Sequence, residues 1–210
     1  MSGLRQRLVD RIRADGPLTF AQYMEAALFD PADGFYTGGP GIGQGGHFAT
    51  AAMAHPAFAD AIVKEAAATW EAIGRPRTFR VTEAGPGTGG LARRVAEGLD
   101  ALGIRHELAL IERSSGLAER QRATLEGIPA RWVEHPAELK PASGFLYANE
   151  LVDALPVRLL QWPDEVLVGA DAHGRLVEVL RPADANVTRL LPADVDLRPG
   201  GRYAVRPAMI

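Results

Sequence analysis

Between Val81 and Val95 the chain reads VTEAGPGTGGLARRV, four glycines and a proline set between an apolar strand pattern and a helical stripe. A strand that runs straight into a helix through so tight a turn is half of a crossover unit. Crossovers commit a chain to parallel pairing. The rest of this region repeats the alternation. TFRVTEA reads as a strand, and Leu91, Val95, Leu99 and Leu102 form the stripe of the helix after the glycines. HELALIE is a second strand, ending in Glu112. SSGLAERQRATLEG is a helix with Ser114 as N-cap and Gly127 at its end. ARWVEH and GFLYANE complete four strands, which predicts an α/β fold around a parallel sheet.

The flanks differ in texture. Leu4, Leu8 and Ile12 share one face of an opening helix, and TFAQYMEAALFD predicts a second with Thr19 as N-cap. Seven glycines fall between Asp33 and Phe48, which predicts a loop, and a third helix is expected over about 55–73. Beyond Pro156, VRLLQWP, EVLVGADAHGRLVEVL and RYAVRP read as antiparallel strands, with His173-Gly174 at a hairpin turn. The expected organisation is a helical arm over 1–76, a Rossmann-like core over 77–156 and a β-rich extension over 157–210.

The glycines carry the chemistry. Gly85, Gly87 and Gly90 meet the G-x-G-x-x-G spacing between strand and helix, where free helix N–H groups and a close backbone suit a nucleotide-like ligand. Glu112, at the end of the next strand, stands where an acid accepts from ribose hydroxyls, in NAD and S-adenosylmethionine sites alike. Glu83, two residues before the first glycine, is expected to face the ligand. It would repel a pyrophosphate and favour a phosphate-free ammonium–sulfonium, which points to S-adenosylmethionine over NAD. A net charge of −3 gives no nucleic-acid footprint. The absence of cysteine excludes disulfides and thiolate chemistry, and the five scattered histidines predict no metal site. With no signal-peptide h-region and no long apolar run, no membrane span is expected and a cytoplasmic location is.

TEAGPGTGGLARRV, LIERSSGLAERQ and ANELVDALPVRLL resemble the MidA-like class I methyltransferases, whose mitochondrial member is a protein arginine methyltransferase needed for assembly of respiratory complex I. The NE..DALPV element is more specific than the glycine turn, and GPLTFAQYMEAALFDPADGFYT is similar to the family's opening. The resemblance runs from about Leu8 to Pro207. It implies S-adenosylmethionine as cofactor and a Rossmann-like core whose parallel sheet is incomplete here. By the resemblance the family's C-terminal part is lacking, so the expectation is either a shortened or truncated member or a sheet finished by a homodimer partner or a complementing C-terminal chain. It further implies that Glu83, Gly85, Gly87 and Gly89 line the donor pocket, Glu112 holds the ribose, and Asn149 lies beside the transferring methyl.

The family's GDF.TSPE segment would correspond to GHFATAAM, where Gly46, Phe48 and Thr50 match. His47, Ala52 and Met53 replace an aspartate, a proline and a glutamate. An arginine acceptor is protonated at neutral pH, so carboxylates must hold it and take its proton. Glu150 and Asp153 are the catalytic candidates, although Asn149 and these acids could equally cap a helix. The expected function is methyl transfer to protein arginine. The alternatives are a weak or inactive donor-binding relative that serves in assembly, and an NAD-dependent oxidoreductase.

Overall fold

The computed structural model describes residues 3–37 and 56–206. In chain order the first elements are α1 (Leu4–Asp15), β1 (Leu18–Thr19), α2 (Phe20–Phe29) and α3 (Pro56–Ala72). There follow β2 (Arg80–Ala84), α4 (Gly90–Ala101), β3 (Glu107–Ile111), α5 (Ser115–Thr124), β4 (Ala130–Val133) and β5 (Gly144–Ala148). The last are β6 (Arg158–Gln161), β7 (Asp164–Ala170), β8 (Leu176–Pro182), the single turn α6 (Ala185–Thr188) and β9 (Arg202–Val205).

The chain forms two compact units, Met1–Gly38 with Asp153–Ile210, and Gly39–Val152. The divisions therefore fall at 38 and 152, not at the expected 76 and 156. The reason lies in what each segment packs against. Leu18 and Thr19 pair with Val168 and Leu167, which joins the opening helices to the β-rich tail. Helix α3 instead buries Ala59, Val63 and Ala66 against Phe79, Val81 and Leu99 of the parallel core.

In the unit 39–152 the strand order is β4-β3-β2-β5, with every pair parallel. Val81 lies opposite Leu108 and Phe145, and Glu83 lies opposite Leu110 and Tyr147, so these residues share one face. Helix α4 serves two clusters on that side. Leu91, Val95 and Leu99 join the one with α3, and Ala92 and Ala96 join Leu108, Leu110 and Leu125. Leu102, read as part of the stripe, is the C-cap of α4 and is exposed, because the helix ends one residue earlier. Arg93 pairs with Glu97 at 2.8 Å and donates from Nη1 to the Thr124 carbonyl at 2.7 Å, satisfying an acceptor in the last turn of α5.

In the other unit the β7–β8 hairpin runs from Asp164↔Pro182 to Ala170↔Leu176. Its turn is held by Asp171, which accepts from the N–H groups of His173 and Arg175, with Gly174 at φ 71°. The opposite edge of β7 takes β6 along its first half and β1 along its second, and β9 pairs with β6. Helix α1 buries Leu8 and Ile12 against Leu18 and Val168, and Thr19 forms a reciprocal capping box with Gln22 at the start of α2. No helix among the described residues is long and apolar enough to cross a membrane.

Candidate active site

The strand order reverses between β2 and β5, because the chain builds β2, β3 and β4 outward in one direction and then places β5 on the other side of β2. At such a switch point the loops leaving neighbouring strands diverge and open a crevice at the carboxyl ends. The loops that leave β2, β3 and β5 here contain Gly85–Gly90, Glu112–Ser114 and Asn149–Leu151.

Three glycines of the first loop have left-handed backbones: Gly85 at φ 66°, Gly87 at φ 55° and Gly89 at φ 83°. At Gly85 crowding adds to the need for glycine, since a Cβ there would stand 2.7 Å from Leu151 Cδ1. One on Gly89 would meet the Cα, Cβ and Cγ of Gln121 at 3.4 Å, an ordinary packing distance. Gly90, the third glycine of the expected spacing, has only Thr88 Oγ1 within reach, so the packing role belongs to Gly89. Gly89 is also the N-cap of α4, and the Gly85 N–H is used on the Ile111 carbonyl at 3.0 Å, which ties the bend to the end of β3.

Glu83 is enclosed by the strand and helix around it. Its residue is 2% exposed, and its Oε2 accepts from the Tyr147 hydroxyl at 3.1 Å. The Ala92 backbone N–H, in the first turn of α4, donates to the same carboxyl group. Burial pushes its pKa up to about 7, with the Tyr147 and Ala92 bonds opposing the rise. Burial, and then the charge of Glu83, raise the Tyr147 hydroxyl further, so it remains a donor. The strand places Glu83 on the face of Val81 and Tyr147, beneath the start of α4, because side chains alternate along β2. In this position the acid supports the glycine bend from below.

Glu112 is half-buried, and its carboxylate accepts internal bonds from the Gln121 side chain and from the backbone N–H groups of Arg113 and Ser114. Oε1 takes the Ser114 N–H at 2.8 Å and Oε2 takes Gln121 Nε2 at 2.9 Å. Burial raises its pKa, against these donors. Gln121 was absent from the sequence reading. It is fully buried, its Nε2 also donates to the Gly87 carbonyl at 2.8 Å, and its Oε1 accepts from Trp132 Nε1 at 3.0 Å. A signal for it existed: Gln121 is a polar residue in the buried stripe formed by Leu117 and Leu125. Trp132 packs against Leu108, Leu110 and Leu125 and has the Arg122 guanidinium 5.1 Å from its ring centroid.

Asn149 is half-buried beyond β5. Glu150 is exposed at φ 49°, an uncommon conformation for a residue with a Cβ. Among the described residues neither side chain is held by a hydrogen bond or ion pair. Asp153 is exposed and belongs to the other compact unit. Gly46, Phe48 and Thr50 lie outside the described residues.

The arrangement fits an adenosine-bearing cofactor. The half-buried carboxylate of Glu112 is oriented by three internal donors and retains acceptor capacity for a ligand hydroxyl. The bend at Gly85–Gly89 places no side chain between backbone and ligand except Pro86 and Thr88.

Comparison with known proteins agrees with this geometry. The profile of the family described as "Putative S-adenosyl-L-methionine-dependent methyltransferase" matches residues 61–209. A crystal structure of a Burkholderia thailandensis protein bound to S-adenosyl-homocysteine superposes with a TM-score of 0.82 at 32% identity, covering 98% of this chain and 56% of that one. Another crystal structure of a Burkholderia thailandensis protein, in native form, gives 0.78 at 32% identity, covering 98% and 55%. The chain is 29% identical to protein arginine methyltransferase NDUFAF7, mitochondrial, of Bos taurus, over 79% of this chain and 45% of that protein. The Drosophila melanogaster homolog is 28% identical, over 79% and 44%. The chain thus spans about half the length of the curated relatives it matches. These relatives are mitochondrial proteins, which overturns the expectation of a cytoplasmic location. That expectation rested on a missing secretory segment and a missing apolar span, which bear on secretion and membranes and not on the choice between cytoplasm and organelle.

Proposed function

The chain belongs to the MidA-like class I methyltransferases dependent on S-adenosylmethionine, and from that premise we propose that it transfers a methyl group to arginine in a protein substrate. The observation that carries the reading is the convergence of the glycine bend, Glu112 and Asn149-Glu150 at the carboxyl ends of adjacent parallel strands. The arginine methyltransferase names of the curated relatives support the choice of acceptor.

The donor supplies an activated methyl on a positively charged sulfur. Glu112 would accept from the ribose hydroxyls, and the backbone of Gly85, Gly87 and Gly89 would admit the donor where side chains would block it. Asn149 would lie beside the donor. In-line displacement needs alignment above all, so the protein's task is to hold donor and acceptor and to receive one proton. Glu150, with its carboxylate unengaged and its backbone in a left-handed conformation, would hold the guanidinium and accept that proton. Gly46, Phe48 and Thr50 would contribute to the donor pocket.

A second reading is favoured by a specific feature of the sequence. His47 and Met53 stand where the family carries carboxylates, which suits a relative that binds the donor without turnover. A homodimer or a complementing chain belongs to the proposal as well, because β5 pairs only with β2 among the described residues.

Incubation with radiolabelled S-adenosylmethionine and a protein extract, followed by mass spectrometry of labelled bands, separates the readings. Methylarginine formed by the wild type and lost in Glu150→Gln is the expected result. Calorimetric binding of S-adenosylhomocysteine with no methyl transfer would select the donor-binding reading. No binding of either compound would remove both.

A further inference from the structure

The Gln121 side chain is completely enclosed, yet all of its polar capacity near the glycine bend is used. One amide nitrogen donates to the Gly87 carbonyl at 2.8 Å and to Glu112 Oε2 at 2.9 Å, and the amide oxygen accepts from Trp132 Nε1 at 3.0 Å. The Trp132 bond fixes the amide's direction. If the group turned over, its oxygen would face the Gly87 carbonyl and the Glu112 carboxylate, and its nitrogen would face the indole N–H. Acceptor would then meet acceptor, and donor would meet donor. Few other side chains could replace it: a carboxylate has no donor for Gly87 or Glu112, and an ammonium has no acceptor for Trp132. Gly89 of the bend packs directly against this residue, with a Cβ position 3.4 Å from the Gln121 Cα, Cβ and Cγ.

We infer that Gln121 is the positioning residue that makes the methyl-donor site selective for ribose, by locking the Glu112 carboxylate to the glycine bend at Gly87. The inference rests on the proposed donor site. Ser114 N–H on Oε1, Gln121 Nε2 on Oε2 and the Arg113 backbone N–H hold the carboxylate plane, so its remaining acceptor directions are fixed. Without Gln121, Oε2 loses that side-chain donor and the Gly87 peptide loses the bond that orients its carbonyl. The carboxylate is then held only by the neighbouring backbone N–H groups of Arg113 and Ser114 and is no longer tied to the glycine bend. A ribose diol needs both directions at once, whereas a deoxyribose needs only one.

The test measures calorimetric affinity for S-adenosylhomocysteine and for its 2′-deoxy analogue, in the wild type, Gln121→Leu and Trp132→Phe. The wild type is expected to prefer the ribose form by about tenfold or more, the worth of one hydrogen bond to a charged group. In Gln121→Leu the ribose form should weaken at least about tenfold and the deoxy analogue far less, so the preference collapses. Trp132→Phe releases the amide and should shrink the preference part of the way. A purely structural role would weaken both compounds equally and leave the ratio unchanged. A folded Gln121→Leu protein that keeps the wild-type ratio overturns the inference. If that variant does not fold, an undiminished ratio in Trp132→Phe overturns it. A wild type that binds neither compound removes the donor site itself, a failure distinct from either of these.

Discussion

Glu83 is a carboxyl group held where water scarcely reaches, with two neutral donors and no cation against it. Its pKa rises from 4.5 in the exposed chain to about 7 in the fold. Between those values the native state holds a proton that the unfolded chain has released, so stability falls as pH rises through this window. The contribution is fully present below about 4.5, is lost above about 7, and is on the order of 3 kcal/mol. Glu83→Gln keeps an acceptor for Tyr147 and Ala92 but cannot ionise. Its urea-unfolding free energy, compared with that of the wild type at pH 5 and pH 8, should gain on the wild type as pH rises. Glu150 gives the opposite kind of expectation. A residue with a Cβ in the left-handed region is strained by about 1–2 kcal/mol, so Glu150→Gly should raise the midpoint of thermal unfolding while methyl transfer is lost. At Gly87, φ 55° is hostile to a β-branched side chain, and Gly87→Val should abolish calorimetric binding of S-adenosylhomocysteine while circular dichroism shows the fold retained. The importance of these loops was legible in the residues themselves. What Glu83 does was not, because the direction of a strand side chain depends on which face the helices cover.

Helix α4 is the element on which the site depends, since it carries the bend at its start and two clusters along its length. Its contact with α3 is unusually close at Gly98, where a Cβ would stand 2.6 Å from Val63 Cγ2 and 3.2 Å from Cγ1. Gly98→Ala should therefore destabilise the protein by about 1–3 kcal/mol, even though alanine is the better helix former. Val63→Ala in the same chain should recover part of that loss. A double-mutant cycle in urea would measure the coupling, and strict additivity would show that the two residues do not press on each other. The helices themselves follow from pattern and caps: Thr19 and Ser114 act as the N-caps their chemistry suggests. The two-residue strand β1 was not legible, because Leu18 and Thr19 are a strand only through their pairing with β7. Gln121 shows the same limit in a helix. Its place in an apolar stripe was visible, but its partners come from 34 residues earlier and 11 residues later in the chain.

At the scale of the molecule, the donor site proposed here draws on loops of one compact unit, Gly39–Val152. Saturation with S-adenosylhomocysteine should therefore slow amide hydrogen exchange in peptides covering 83–92, 110–121 and 147–151, and leave the β6–β8 strands unchanged. Protection concentrated in 158–182 instead would place the ligand elsewhere. The residues alone determined that four strands alternate with helices, that the glycine bend sits between strand and helix, and that an antiparallel tail follows. These are local facts of periodicity, capping and turn chemistry, and each can be read within a window of a dozen residues. Tertiary structure alone decided that the first 38 residues pack with the tail, that Glu83 is buried beneath α4, and that Gln121 joins Glu112 to Gly87. Each of these depends on pairing and packing between segments far apart in the chain, and the energy of such contacts leaves no trace in local pattern.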